Sequence, residues 1–461
     1  MTLDHTTPPV TELVSLERGE IDRRIFSDPE IFEQELAQIF GRSWLFLCHE
    51  SQIPKRGDFF EAPMGRDNVL VVRQRDGGIK ALLNTCAHRG NAVCRAEEGN
   101  AKNFMCTYHG WTYDLAGNLI GVPGLSELYH DDLDKSANGL REVAQVDVFR
   151  GFVFGTLDPE APPLHDFLGP TGRSGLEMIA GQGDMECVPG IQKFVIPCNW
   201  KFTVDNLFDW YHPQITHLSA FQTGLLPAEA DRTGGRMKME GVASSDGAAL
   251  QLPGGVVSGD YGDQLVFIDN FGHATAGPTV DAFGDFQGLV DNSWRDTDEA
   301  RERMGPVALR SLGHTNIFPT LWITPAFCQV SLRVPRGPEQ TEIWWFTFAP
   351  REAPPERRTA IIQTAIHAFG PAGFLEQEDG ENWAQSTLQT RGHASSRVPQ
   401  LLKMNLKRGK VVHDSEGLDP PYIECSINEH GQLWTFHCWA AWLSGCGWDE
   451  LRERTAPPDV L

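Results

Sequence analysis

The spacing of apolar residues changes character twice along the chain. From Asp28 to Trp44 (DPEIFEQELAQIFGRSW), Ile31, Phe32, Leu36, Ile39 and Phe40 recur at helical intervals behind Ser27 or Asp28 as a cap, which predicts a lead-in helix. From about Leu45 to Leu157 the pattern shortens to strand-like runs: NVLVVRQ, GIKALLNT, NFMCTYHGWTYDL and GFVFGTL. Gly, Asn and Asp turns separate these runs, so a compact all-β module is expected. Residues 158–170 (DPEAPPLHDFLGP) read as a linker. Beyond them, strand-like QLVFIDN, CQVSLRV and TEIWWFTFAP mix with helical DNLFDWYHPQITHL and ERRTAIIQTAIHAFG. That mixture predicts an α+β domain, with an antiparallel sheet flanked by helices. The expected divisions are 1–44, a lead-in packing on the later domain, 45–160, the all-β module, and 161–461, the α+β domain. Residues 222–300, rich in Gly, Ala and Asp, read as surface excursions.

Bulk composition narrows the function. The chain has 461 residues, 41% hydrophobic and 10% aromatic, enough to build more than one real core. Lys and Arg total 39 against 62 Asp and Glu, a formal net charge of −23 that would repel nucleic acid and anionic membrane surfaces. No run of about 18 apolar residues and no secretory or transit pattern is visible, so a cytoplasmic protein is expected. Ten cysteines spread over this length lack the density of a disulfide-stapled domain.

Two cysteines stand beside histidines at ligand spacing. Residues 86–88 read Cys-Ala-His and residues 106–109 read Cys-Thr-Tyr-His, with seventeen residues between the pairs. A Rieske [2Fe-2S] centre requires two thiolates on one iron and two imidazoles on the other, and one Cys and one His from each of two tight loops meets that requirement. A structural zinc site uses the same residue types, but it groups like residues as C-x2-4-C and H-x3-5-H, whereas each pair here is mixed.

A second constellation follows in NWKFTVDNLFDWYHPQITH, residues 199–217. Asp209 and His212, three apart, would share a helical face. His217 lies five residues past His212, about 140° away on a straight helix. Both imidazoles can therefore reach one metal only if the helix is distorted, and Pro213 supplies a reason by removing the N–H that would bond to residue 209. Two His and one carboxylate with open positions is the arrangement of non-haem Fe(II) oxygenases. In FGPAGFLEQEDGENW (369–383), Glu376, Glu378, Asp379 and Glu381 are all candidates for that carboxylate, and spacing does not choose among them.

The runs CAHRGNAVC and FMCTYHGWTYDLAGNLIGVP resemble the Rieske domain of ring-hydroxylating oxygenases, and DNLFDWYHPQITH resembles the iron motif of the same family. The resemblance spans most of the chain and is to biphenyl- and naphthalene-type dioxygenase large (alpha) subunits. It implies cluster ligands Cys86, His88, Cys106 and His109, and mononuclear Fe(II) ligands His212, His217 and Asp379. Asp209 matches the family's bridging carboxylate, linking His212 to His109 of a neighbouring subunit. The implied activity is O2-dependent cis-dihydroxylation of an aromatic substrate, with monohydroxylation or oxidative demethylation as the alternative on the same metals. The implied partners are a ferredoxin and/or an NAD(P)H-dependent reductase, a small beta subunit, and sister subunits in a homotrimeric core (alpha3 or alpha3beta3). Arg89, Arg95 and Lys102 are candidates for steering the electron donor. Asn206, Leu207, Phe208, Phe374 and Leu375, with His314 and Asn316 as polar members, are candidate walls of the substrate pocket.

Overall fold

The run Gln340–Pro350 (QTEIWWFTFAP) carries β-branched and aromatic residues suited to a buried, pleated surface, and it forms the longest strand of the structure. The structure is a computed structural model describing residues 12–217, 219, 264–283, 292–414 and 419–461. Two compact units are present: one is Glu33–Phe167 with Glu186–Pro189, and the other is Met1–Phe32, Leu168–Met185 and Gly190–Leu461.

The smaller unit is built from short antiparallel strands. These are β1 (Leu45–His49), β2 (Asp58–Met64), β3 (Asp67–Arg73), β4 (Ile79–Leu83), β5 (Glu98–Asn100), β6 (Phe104–Met105), β7 (Thr112–Tyr113), β8 (Leu119–Gly121), β9 (Gln145–Phe149) and β10 (Phe152–Thr156). They form three sheets, ordered β4-β3-β2-β5, β8-β7-β6 and β9-β10-β1. One core cluster joins the first two sheets: Leu70, Val72 and Leu82 pack with Phe104, Trp111 and Tyr113, and with Cys86 and Cys106. Each large apolar side chain so buried contributes roughly 1.5–3 kcal/mol. The loops carrying the two Cys/His pairs are thus anchored by their own cysteines.

The larger unit centres on an antiparallel sheet. Its strands are β11 (Gln192–Ile196), β12 (Gln264–Ile268), β13 (Ala274–Pro278), β14 (His314–Ile317), β15 (Leu321–Thr324), β16 (Gln329–Gly337), β17 (Gln340–Pro350) and β18 (Tyr422–Cys425). They lie in the order β11-β17-β16-β15-β14-β13-β12-β18. The helices that matter for function are α3 (Trp200–Asp205), α4 (Pro213–Thr216), α5 (Pro355–Ala368), α6 (Phe374–Thr390) and α7 (His430–Leu443), taking α1 as Pro29–Glu35 and α2 as Leu164–Ala180. Helix α7 (HGQLWTFHCWAAWL) is apolar on nearly every side and buried accordingly. Among the described residues no helix is long and apolar enough to cross a membrane.

Three expectations are corrected. The lead-in helix is regular only over Pro29–Glu35; Leu36–Phe40 is a π-helical turn closed by the Gly41 N–H on the Leu36 carbonyl. The stretch read as a linker contains the start of α2, because Leu164, Phe167 and Leu168 are buried. That helix departs from helical geometry at Gly169 (φ 55°, ψ −178°), where a Cβ would lie 2.5 Å from the Asp269 carboxylate. Of the supposed surface excursions, residues 222–263 and 284–291 lie outside the described residues, but β12 and β13 are fully buried neighbours inside the sheet. The small residues there serve close packing: a Cβ at Gly277 would come within 2.9 Å of the Trp210 indole.

Candidate metal centres

The two Cys/His loops of the smaller unit are near twins. In each, the cysteine N–H bonds to the carbonyl five residues on (Cys86 to Asn91, 2.9 Å; Cys106 to Trp111, 2.8 Å). In each, the glycine four residues on, Gly90 or Gly110, returns a 2.9 Å bond to the cysteine carbonyl. Both glycines hold positive φ (71° and 75°), the conformation that lets so short a loop turn back. The loops set thiol beside thiol and imidazole beside imidazole: Cys86 and Cys106 interact directly, and the rings of His88 and His109 lie 4.5 Å apart. His88 is stacked on Trp111 at 5.0 Å, and its buried Nδ1 has no hydrogen-bond partner.

The surroundings of the sulfurs suit thiolates. The Tyr113 hydroxyl lies 3.3 Å from Cys86 Sγ while accepting the Ala87 N–H at 3.1 Å, which leaves its proton for the sulfur. The Asn91 amide approaches Cys106 Sγ at 3.6 Å. Although burial pushes the Cys106 thiol up, the Tyr108 and His109 N–H groups, the Asn91 amide and Cys86 bring its pKa below the ordinary value. A paired-thiolate, paired-imidazole set with sulfur-directed donors fits a [2Fe-2S] cluster and its tuning.

In the larger unit the helix expected across Asp209 and His212 is broken earlier than Pro213 requires. Helix α3 tightens into a 3-10 turn, Asn206–Phe208, and ends at Asp209 in an extended conformation. The carboxylate Oδ1 then accepts the backbone N–H groups of Tyr211 (2.7 Å) and His212 (3.2 Å), making an Asx turn. Pro213 opens the next helix, where a proline is favourable. The Asp209–His212 proximity thus comes from a turn and not from a shared helical face.

This break allows His212 and His217 to converge. Their Nε2 atoms are 3.1 Å apart, and Asp379 Oδ1 lies 3.4 Å from the first and 3.3 Å from the second. Among the described residues this is the one group of three such side chains whose ligand atoms all fall within 4.8 Å of one another. Adjacent donors on an octahedral ion at about 2.1 Å stand about 3 Å apart, so the triangle has the size of one face of such an ion. Both back nitrogens face carboxylates: His212 Nδ1 is 3.5 Å from Asp209 Oδ2, and His217 Nδ1 is 3.0 Å from Glu378 Oε2. Ser219 Oγ also donates to Glu378.

The electrostatics favour positive charge at the triangle. Burial opposes charge on His212, yet Asp209 and Asp379 outweigh it and lift its pKa to about 10. Likewise, burial opposes ionisation of Asp379, but His212 and His217 bring its pKa down to about 2. A buried, ionised carboxylate facing two converging imidazoles is a fit for a divalent metal ion.

The four candidate carboxylates separate cleanly. Asp379 faces the two Nε2 atoms, Glu378 backs His217, Glu376 is paired with Arg333 at 2.6 Å, and Glu381 is exposed. Glu378 is a residue whose supporting position sequence reasoning missed. So is Trp210, whose Nε1 donates to the Ala276 carbonyl (2.8 Å) and whose ring lies 5.0 Å from His314. Burial, with His212 nearby, pushes His314 down to about 3, so it is a neutral imidazole. Asn316 is buried with Nδ2 on the Pro319 carbonyl, Leu207, Phe208 and Leu375 are buried, and Asn206 is half-buried. Phe374, the other expected pocket wall, is 44% exposed at the first turn of α6. Arg89, Arg95 and Lys102 are exposed on the smaller unit.

Residues 43–141 match the Rieske [2Fe-2S] domain family, and residues 179–444, more than half of the chain, match the ring hydroxylating alpha subunit (catalytic domain) family. The chain is 37% identical over 457 residues to biphenyl 2,3-dioxygenase subunit alpha of Rhodococcus jostii, covering 97% of this chain and 94% of that one. It is 34% identical over 457 residues to benzene 1,2-dioxygenase subunit alpha of Pseudomonas putida, covering 97% and 96%. The solved structure of naphthalene 1,2-dioxygenase with indole bound in the active site matches at TM-score 0.79 and 30% identity over 96% of each chain. A quaternary ammonium Rieske monooxygenase in complex with L-carnitine shares the fold at TM-score 0.65 with 17% identity, covering 95% of this chain and 99% of that one. With both domains shared along nearly its whole length, the chain belongs to the ring-hydroxylating dioxygenase alpha subunits, oxidoreductases that carry a Rieske [2Fe-2S] cluster and a mononuclear iron.

Proposed function

We propose that this chain cis-dihydroxylates an aromatic hydrocarbon ring, consuming one O2, two electrons and two protons per cis-diol formed. The observation that carries the reading is the triangle of His212, His217 and Asp379, with a carboxylate facing each back nitrogen, in a chain that also has a Rieske domain. In this reading Cys86, His88, Cys106 and His109 hold the cluster, and His212, His217 and Asp379 hold the iron. When bound, the cluster supplies one-electron transfer and the iron supplies redox activation of O2. The chain's own contribution is to orient the imidazoles, exclude bulk water and present apolar walls. Neutral His314, packed between Trp210 and Trp322, suits an uncharged ring.

We further propose that electrons arrive from a ferredoxin or NAD(P)H-dependent reductase and cross between subunits of a trimeric core. A small beta subunit is a further partner in this reading. Support comes from exposed apolar residues beside the functional groups. Met105 and Tyr108 flank the second Cys/His loop, and Tyr211 and Ile215 flank Asp209 and His212; all four are at least 43% exposed. Met and aromatic residues such as Met105, Tyr108 and Tyr211 are enriched where proteins meet. Asp209, with Oδ2 3.5 Å from His212 and its side chain 34% exposed, is suited to link the two centres across such a boundary.

The test is product analysis with 18O2, a reconstituted donor and a panel of aromatic hydrocarbons. A cis-diol carrying both labelled atoms is expected. One labelled atom, in a phenol or demethylated product, would replace this reading with monooxygenation, which the shared fold alone also accommodates.

A further inference from the structure

We propose that Arg333 is a positioning residue for the mononuclear centre: by gripping α6 on both sides of Asp379, it holds the helix so that Asp379 faces His212 and His217. This rests on the reading of Asp379 as an iron ligand. Arg333 lies on β16 with no exposed surface, and its Nη1 donates to Glu376 Oε1 at 2.6 Å. Its Cζ lies 4.4 Å from the ring centre of Trp322, 5.0 Å from that of Trp345 and 5.6 Å from that of Trp383. Glu376 is one turn before Asp379 on α6, and Trp383 is one turn after it. One guanidinium therefore touches the helix on both sides of the candidate ligand, through an ion pair in one place and a cation–π contact in the other.

Stability does not account for this arrangement. Buried ion pairs are often neutral or worse compared with apolar replacements, and here the Arg333 Nε and Nη2 atoms have no hydrogen-bond partner. A costly buried charge kept beside a metal triangle is better explained by what it specifies. Glu376 has the same chemistry as Asp379, is equally buried, and is its near neighbour. Burial and the Asp379 charge both push Glu376 toward its neutral form, and Arg333 opposes them. Without the guanidinium, Glu376 would be a buried acid with no partner, and α6 would lose its anchors on both sides of Asp379.

The test uses the full-length protein with its cluster in place, stripped of mononuclear iron and titrated with Fe(II). Arg333→Met should bind Fe(II) about 10- to 100-fold more weakly and alter the EPR signal of the ferrous nitrosyl adduct, while cluster absorption stays unchanged. If Arg333→Met does not fold, the Arg333→Met/Glu376→Leu double variant decides. It leaves no unpaired buried charge and should fold with an intact cluster but keep the weakened Fe(II) binding. Parent-like affinity and an unaltered nitrosyl signal in whichever variant folds would overturn the proposal. Asp379→Ala separates the two readings. If it retains Fe(II), the ligand assignment fails; if it loses Fe(II) while the Arg333 variants bind normally, only the positioning role fails.

Discussion

The Nδ1 of His217 lies 3.0 Å from Oε2 of Glu378, while its Nε2 faces the very next residue of the helix, Asp379, at 3.3 Å. Two adjacent acidic residues thus address opposite nitrogens of one imidazole. An outer carboxylate of this kind fixes the tautomer with Nδ1 protonated and leaves the Nε2 lone pair for metal. Glu378→Ala should weaken Fe(II) binding about 10- to 100-fold without altering cluster absorption. Glu378→Gln, which still offers an acceptor oxygen to Nδ1–H, should fall between Ala and the parent. Equal affinities in all three would show that the contact has no bearing on metal binding.

Asp209 does two separable things. Its Oδ1 closes the turn that brings His212 round, and its Oδ2 faces the His212 ring. Asp209→Asn keeps an oxygen for the turn and loses the charge, so iron content and cluster absorption should stay near parental values. Turnover should fall at least about 100-fold, and reoxidation of the reduced cluster in stopped-flow mixing should slow with it. Normal turnover with both metals bound would remove Asp209 from the electron path.

Much of this could be read from local spacing, and the parts that could not are those set by long-range packing. The cysteine and histidine loops are short, so CAH and CTYH carry their own geometry, and the glycine four residues after each cysteine is visible in the sequence. The converging histidines demanded a helix break, but the break falls at Asp209, because an Asx turn was available before the proline could act. Spacing alone did not separate Glu376, Glu378 and Asp379, since their roles depend on Arg333, 43 residues upstream of Glu376, and on His217, 161 residues before Glu378; resemblance to the family picked out Asp379. QLVFIDN marked β12, but its neighbour β13 was hidden in Gly- and Ala-rich sequence, where small side chains admit Trp210 instead of marking a loop.

His430 gives a test of fold energetics. It opens α7 with 1% of its surface exposed, and its Nε2, which has no hydrogen-bond partner, crowds Gly409, where a Cβ would approach to 2.4 Å. Burial pushes its pKa down to about 4 from an ordinary 6.5. The positive end of the helix acts in the same direction. Because the folded value lies below the unfolded one, the neutral ring's contribution is complete above about pH 6.5 and is lost as pH falls toward 4. Between pH 7 and pH 5 the loss from this group should be about 2 kcal/mol. Urea unfolding followed by tryptophan fluorescence should therefore show the parent losing about that much more stability over this interval than His430→Gln. Parallel losses in the two proteins would mean that the imidazole takes up its proton without disturbing the fold, and that burial at the start of α7 is less complete than the packing against Gly409 requires.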